Sequence, residues 1–158
     1  MVSAPEIGAV HLEELDGLLS NMDACARNIE QITERERDAA RHFDAESLTQ
    51  LSVLRSQSHQ VLMDMEGQCR ELLAQYHVPE DMPLSVFIDL FSTDHMYAER
   101  ANKLQALRRS LYARMMRIDK ASEESRIHLK AAFDVTIGVL QHIGAVEPQQ
   151  TYGPARSA

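Results

Sequence analysis

Two runs of side chains at alternating spacings of three and four residues constrain the fold of this chain more than any other feature. This spacing is typical of the contact stripe of a coiled-coil helix. The first run consists of Leu15, Leu18, Met22, Cys25, Ile29, Ile32, Glu36, Ala39 and Phe43. The second consists of Leu48, Leu51, Arg55, Ser58, Leu62, Met65, Cys69, Leu72 and Tyr76. The runs predict two long helices, over residues 4–43 and 45–76.

The chain is predicted to reverse its direction at Asp44, a good N-cap residue directly after the first run. Folding the two runs against each other at this point places Leu15 opposite Tyr76. It also places Glu36 opposite Arg55, and these are the charged members of the two runs. A buried polar pair of this kind is best understood as fixing the register of two helices rather than as adding stability. The match favours an antiparallel hairpin.

The rest of the chain predicts a third long helix. Pro79 and Pro83 end the second helix, because proline lacks a backbone donor and disfavours helical geometry in the residue before it. A short helix at 84–91 is expected to close the open end of the hairpin, and the third helix is expected over 94–143. The predicted fold is all-α, an elongated antiparallel three-helix bundle over residues 1–146. Residues 147–158 have turn formers and no apolar period, so they are expected to form a flexible tail.

The charge distribution argues for packing between the helices and against binding to nucleic acid. The chain of 158 residues has a formal net charge of −8, which opposes contact with phosphates. Residues 1–100 hold 19 acidic and 7 basic side chains, whereas residues 101–158 hold 5 acidic and 9 basic ones. A basic last helix is therefore expected to lie against acidic earlier helices. Without a long apolar span or a signal-like start, the chain is expected in the cytoplasm and outside the membrane.

Nothing in the sequence indicates catalysis or a cofactor. None of the seven histidines has a Glu three residues before it, so the Glu-x-x-His pairs of di-metal helical bundles are absent. Cys25 and Cys69 are expected to be two reduced thiols rather than a disulfide. We therefore expect no catalytic residue, no metal site and no enzymatic activity; a helical metal-dependent enzyme is a distant alternative.

The last helix is too long for its companions. Running antiparallel to the second helix, it would pass the turn at Asp44 near residue 126, and the remainder would extend beyond the hairpin. Apolar side chains crowd that remainder on more than one face, and a solvated helix rarely exposes so many. They are Ile127, Leu129, Phe133, Val135, Ile137, Val139, Leu140, Ile143 and Val146. Three ways to cover them are open: a partner protein, self-association, or a bend near Gly138 that folds the helix back.

The sequence resembles the FlgN family of bacterial flagellar export chaperones. The resemblance is carried by the overall helix pattern, by ERDAARHFDAESLTQL at 36–51 and by RELL at 70–73. It is most specific in the apolar last helix and the following TYGP at 151–154. It extends loosely over residues 10–154.

The resemblance implies a cytoplasmic chaperone that binds hook–filament junction proteins through their C-terminal amphipathic helices and delivers them to the flagellar type III export gate. It places Leu129, Phe133, Ile137 and Leu140 on the client-binding helix and makes Tyr152 a candidate for contact with client or gate. The apolar pattern adds Ile143 to the partner-binding residues. The alternative is a coiled-coil scaffold that self-associates through the same helix.

Overall fold

The computed structural model describes residues 9–144 and shows an all-α helical bundle, as predicted. Its helices are α1 (Ala9–Arg41), α2 (Ala45–Gln75), α3 (Leu84–Asp89) and α4 (Ala98–His142). The start of the first helix expected at residue 4 and the expected tail at 147–158 lie outside the described residues.

The first helix is the centre of the bundle. It packs against both α2 and α4, whereas the backbones of α2 and α4 do not come close to each other in the described chain. Side-chain contacts between α1 and α4 advance in the same direction along both helices, from Arg100 beside Glu13 to His128 beside Phe43. Helix α4 is thus parallel to α1 and antiparallel to α2.

The contact between α1 and α2 follows the predicted register. Leu15, Met22 and Ile29 of α1 are buried in one cluster with Cys69 and Tyr76 of α2. Near the turn, Ala39 and Leu51 form a second small cluster with Ile32 and Leu48. At the polar position, Arg55 Nη1 lies 3.0 Å from Glu36 Oε2.

Helix α1 has a second contact stripe, which the spacing of its large apolar residues did not predict. Its members recur every seven residues and are all buried: Leu12, Leu19, Ala26, Thr33 and Ala40. Three of them are small, and small side chains let another helix approach closely. Helix α4 packs along this stripe, so α1 buries two faces rather than one.

Arginines of α4 hold acidic side chains of α1 beside this stripe. Arg114 donates from Nε to Asp23 at 3.0 Å and from Nη1 to Glu30 at 2.8 Å. Arg117 donates from Nε to Glu30 at 2.6 Å. The two hydrogen bonds to Glu30, first that from Arg117 and then that from Arg114, lower the pKa of Glu30 despite the opposing effect of burial. The expectation of a basic last helix against an acidic earlier helix is confirmed.

The turn between α1 and α2 corrects the predicted place of Phe43. Phe43 was expected in the seam, but it is 62% exposed and has a φ of 54°, in the left-handed region. Its N–H binds Ala40 O at 3.2 Å, and the next N–H, of Asp44, binds Ala39 O at 3.0 Å. These bonds form a Schellman motif, which requires a left-handed residue at this position. Asp44 then caps α2 through Ser47 N, as predicted.

The short helix α3 lies against the start of α4. Phe87 and Ile88 join the main core cluster, and Gln105 donates to both Ser85 O and Asp89 Oδ1. Helix α4 begins at Ala98 rather than at the predicted residue 94.

Candidate partner-binding surface

Helix α4 continues well beyond the end of the hairpin. The ring of Phe43, in the α1–α2 turn, stacks on His128 with 5.7 Å between the ring centroids. Beyond this point neither α1 nor α2 has residues left to pack on α4. We call residues 127–143 the overhang. At about 1.5 Å per residue its 17 positions span roughly 25 Å.

The overhang is apolar and uncovered. Within the described chain, no residue after Ser125 is buried. Six large apolar side chains are between 37% and 67% exposed: Ile127, Leu129, Phe133, Val135, Val139 and Ile143. Ile137 and Leu140 are half-buried. The described part of α4 does not fold back at Gly138, because it stays helical to His142.

The contact stripe of α4 continues through the overhang without a change of spacing. In the bundle the stripe includes Leu104, Leu111, Ile118 and Ser125, seven residues apart, of which Leu111 is half-buried and the others are buried. The same step leads to Ala132 and Val139, and the neighbouring row continues from Ser122 to Leu129, Thr136 and Ile143. The overhang therefore presents the same kind of stripe that α1 covers earlier along α4.

The predicted partner-binding residues share one side of this helix. Leu129, Phe133, Leu140 and Ile143 are spaced by four, seven and three residues, so their side chains lie on neighbouring rows. Ile137 lies at the edge of the same face, four residues after Phe133. Tyr152 lies outside the described residues, and the structure does not place it.

A groove of about 660 Å³ lies between α2 and α4 and reaches Leu129 of the overhang. We call it the α2/α4 groove; its walls include Val53, Arg55, Ser122, Ser125 and Leu129, and Glu36 of α1 lies at its base. Periodicity along one helix did not reveal it, because three helices contribute to it.

The base of the groove is polar and incompletely paired. Arg55 Nη1 contacts Glu36 Oε2 at 3.0 Å and donates to Ser122 Oγ at 3.1 Å. Glu36 Oε1 and Ser125 Oγ are buried and have no hydrogen-bond partner. A buried polar atom without a partner costs about 1–3 kcal/mol. Desolvation raises the pKa of Glu36, and the nearby charge of Arg55 opposes that rise.

The two cysteine thiols lie between α1 and α2. Both are free cysteines; Cys69 is buried, and Cys25 lies 3.4 Å from the carbonyl oxygen of Ser58. Burial raises the pKa of each thiol, which lowers the fraction of nucleophilic thiolate at neutral pH.

The residues 9–144 bring no group of three or more His, Cys, Asp or Glu together in a way that could hold a metal ion. Among the described helices, none has both the length and the apolarity needed to cross a membrane.

Comparison of the chain with protein-family models, curated proteins and solved structures gives no significant match.

Proposed function

We propose that this protein is a cytoplasmic export chaperone of the bacterial flagellum, which binds hook–filament junction proteins and delivers them to the type III export gate. The observation that supports the proposal best is the overhang. An apolar helical stripe about 25 Å long is uncovered although the rest of α4 packs on α1. Such a stripe is suited to binding another amphipathic helix.

The client chemistry follows from the spacing of the stripe. Since the overhang repeats the three- and four-residue steps of a coiled-coil contact, its complement is a helix with apolar residues at the same steps. A junction protein before assembly would present such a helix at its C-terminal end. Binding would hide two exposed apolar surfaces at once and so delay premature assembly.

The identity of the client depends on the sequence resemblance. The segments at 36–51, 70–73 and 151–154 and the apolar last helix resemble the FlgN chaperones. That resemblance supplies the hook–filament junction proteins as clients and the export gate as the second partner, with Tyr152 as a candidate contact for either.

A titration of the full chain with a purified junction protein tests the proposal. Phe133 is 63% exposed, which leaves about 125 Å² of the roughly 200 Å² of an aromatic residue to bury against a client. At about 25 cal/mol per Å² this burial is worth about 3 kcal/mol, or roughly 150-fold in affinity. Phe133→Asp is expected to weaken binding by at least that factor and to leave the unfolding midpoint nearly unchanged.

Ile127→Asp is the matched control. Ile127 is 57% exposed, but it lies six residues before Phe133 and therefore about 120° around the helix, away from the stripe. Its substitution should leave affinity nearly unchanged. Equal affinity of the wild type and Phe133→Asp would refute the placement of the site.

Self-association of the same stripe is the competing function. A coiled-coil scaffold would bury the overhang of one copy against that of another, and light scattering of the full chain would show a stable oligomer. An oligomer that Phe133→Asp dissociates, and that added junction protein does not open, would favour the scaffold over the chaperone.

A further inference from the structure

The α2/α4 groove and the overhang lie on the same side of α4. Two rows of α4 residues, each with a step of seven, run from the groove into the overhang. One row comprises Asp119, Arg126, Phe133 and Leu140; the other comprises Ser122, Leu129, Thr136 and Ile143. The members of both rows from Asp119 to Leu129 line the groove. The later members, from Phe133 to Ile143, lie on the overhang, to which Leu129 also belongs. A straight helix on the overhang would therefore continue into the groove.

The groove contains polar atoms that the chain itself leaves unpaired. Glu36 and Ser125 are 6% and 7% exposed, and Glu36 Oε1 and Ser125 Oγ have no partner. Both contacts of Arg55, to Glu36 Oε2 and to Ser122 Oγ, are made through Nη1, and no donor of the described chain bonds to Glu36 Oε1. Buried carboxylate oxygens are normally hydrogen-bonded, so Glu36 Oε1 is a free acceptor for a donor that enters the groove.

Charge on the wall of the groove favours a basic donor. Glu123 is paired with Arg126 at 2.6 Å, and Glu36 is paired with Arg55 through one oxygen only. Asp119 is exposed on the wall, and it forms no ion pair with the described residues. Two free acceptors of the groove, Glu36 Oε1 and the Asp119 carboxylate, are therefore acidic, which complements a lysine or arginine.

We infer that the α2/α4 groove receives the basic end of the same client helix whose apolar stripe covers the overhang. This inference rests on the proposed chaperone function and specifies its partner. The joint surface along α4 covers 119–143, about 37 Å, and matches a client helix of about 25 residues. The client helix carries an apolar stripe over most of its length and a lysine or arginine where it passes Glu36. Hydroxyl groups of Ser122 and Ser125 offer further contacts to the same polar end.

Substitution of the groove wall tests the inference with the full chain and a purified junction protein as probe. Val53 is 53% exposed on the α2 wall, so Val53→Arg adds bulk and positive charge in the groove without emptying the core. It should weaken binding by about tenfold or more, because a basic client residue would meet a like charge. Met63→Arg is the control, since Met63 is 65% exposed on the same helix and does not line the groove. It should change affinity by less than about twofold, as substitutions outside an interface do.

Hydrogen exchange gives a second readout without any substitution. Complex formation should slow amide exchange in both 48–55 of α2 and 127–143 of α4. Protection of the overhang alone, with Val53→Arg binding as tightly as the wild type, would overturn the inference and leave the proposed function standing. Absence of binding by the wild type would refute the proposed function and the inference with it. The chain alone, without junction protein, gives a further comparison. If protection of the groove then increases with the concentration of the chain, the occupant is a second copy, and the inference is overturned.

Discussion

Removing Arg55 while keeping Glu36 should destabilise the bundle strongly. The contact between Arg55 Nη1 and Glu36 Oε2 measures 3.0 Å, and the Glu36 side chain is buried. Two unit charges about 4 Å apart attract by about 4 kcal/mol at an effective dielectric constant of about 20. Because the Arg55 side chain is 32% exposed and solvent screens it, we expect about 2–3 kcal/mol for Arg55→Met. Met preserves the apolar stem of the arginine, so the loss reports mainly on the charge.

Chemical denaturation monitored by circular dichroism at neutral pH measures this loss. In a chain of this size the expected destabilisation corresponds to a fall of about 5–10 °C in the thermal midpoint. Glu36→Ala should also destabilise the fold. Exchanging the pair, with Glu36→Arg and Arg55→Glu, should restore most of the stability, although the hydrogen bond from Arg55 to Ser122 would be lost.

Two results would refute this account. The first is a free energy of unfolding for Arg55→Met that lies within about 0.5 kcal/mol of the wild-type value, which is the usual range for surface substitutions. Such a small change would mean that Glu36 and Arg55 are not buried together. The second is a double variant, Glu36→Arg with Arg55→Glu, that is no more stable than either single variant. That result would mean that the register of α1 on α2 is wrong. Replacing both residues by leucine provides a further comparison, since apolar replacements of buried ion pairs are often neutral or stabilising.

Three other predictions concern pH and the residues that end α1 and α2. Because the folded-state pKa of Glu36 is raised above its ordinary value of 4.5, its contribution to stability is full below pH 4.5 and is lost as pH rises through the folded-state value. Glu36→Gln should therefore gain stability relative to the wild type as pH rises above 4.5, and a pH-independent difference in denaturation would contradict this. His77, with a φ of 57°, ends α2 as Phe43 ends α1, so His77→Gly should stabilise the fold by about 0.5–1 kcal/mol in thermal unfolding. Phe43→Gly should gain less because it loses the ring contact with His128, and an equal gain would show that this contact contributes nothing.

The contact between α1 and α2 could be predicted because large apolar residues at regular spacing mark the contact face of each helix. Large apolar residues mark both stripes, and the single charged position of each stripe fixes the pairing. The Glu36–Arg55 contact is present in the structure at the expected position. The prediction for Phe43 was wrong because three- and four-residue spacing cannot distinguish the last helical position from the left-handed residue that ends the helix.

The second stripe of α1 was not predicted, because most of its side chains are small. Ala26, Thr33 and Ala40 are too small to stand out in an apolar pattern, and Asp23 and Glu30 beside them are read as solvent-facing charges. Asp23 and Glu30 become contact residues only because α4 brings Arg114 to them. The step of seven from Leu12 to Ala40 was the signal that could have shown the stripe.

The sequence by itself determined the helices, the hairpin register and the surplus of apolar side chains in the last helix, because each depends on the spacing of residues near one another in the chain. Only the tertiary structure decided that α4, in the direction predicted, packs on the small side chains of α1 and stays apart from the backbone of α2. That arrangement leaves a groove with an unpaired carboxylate oxygen next to the overhang. Burial and pairing of this kind depend on three helices at once, so no periodicity along a single helix can reveal them.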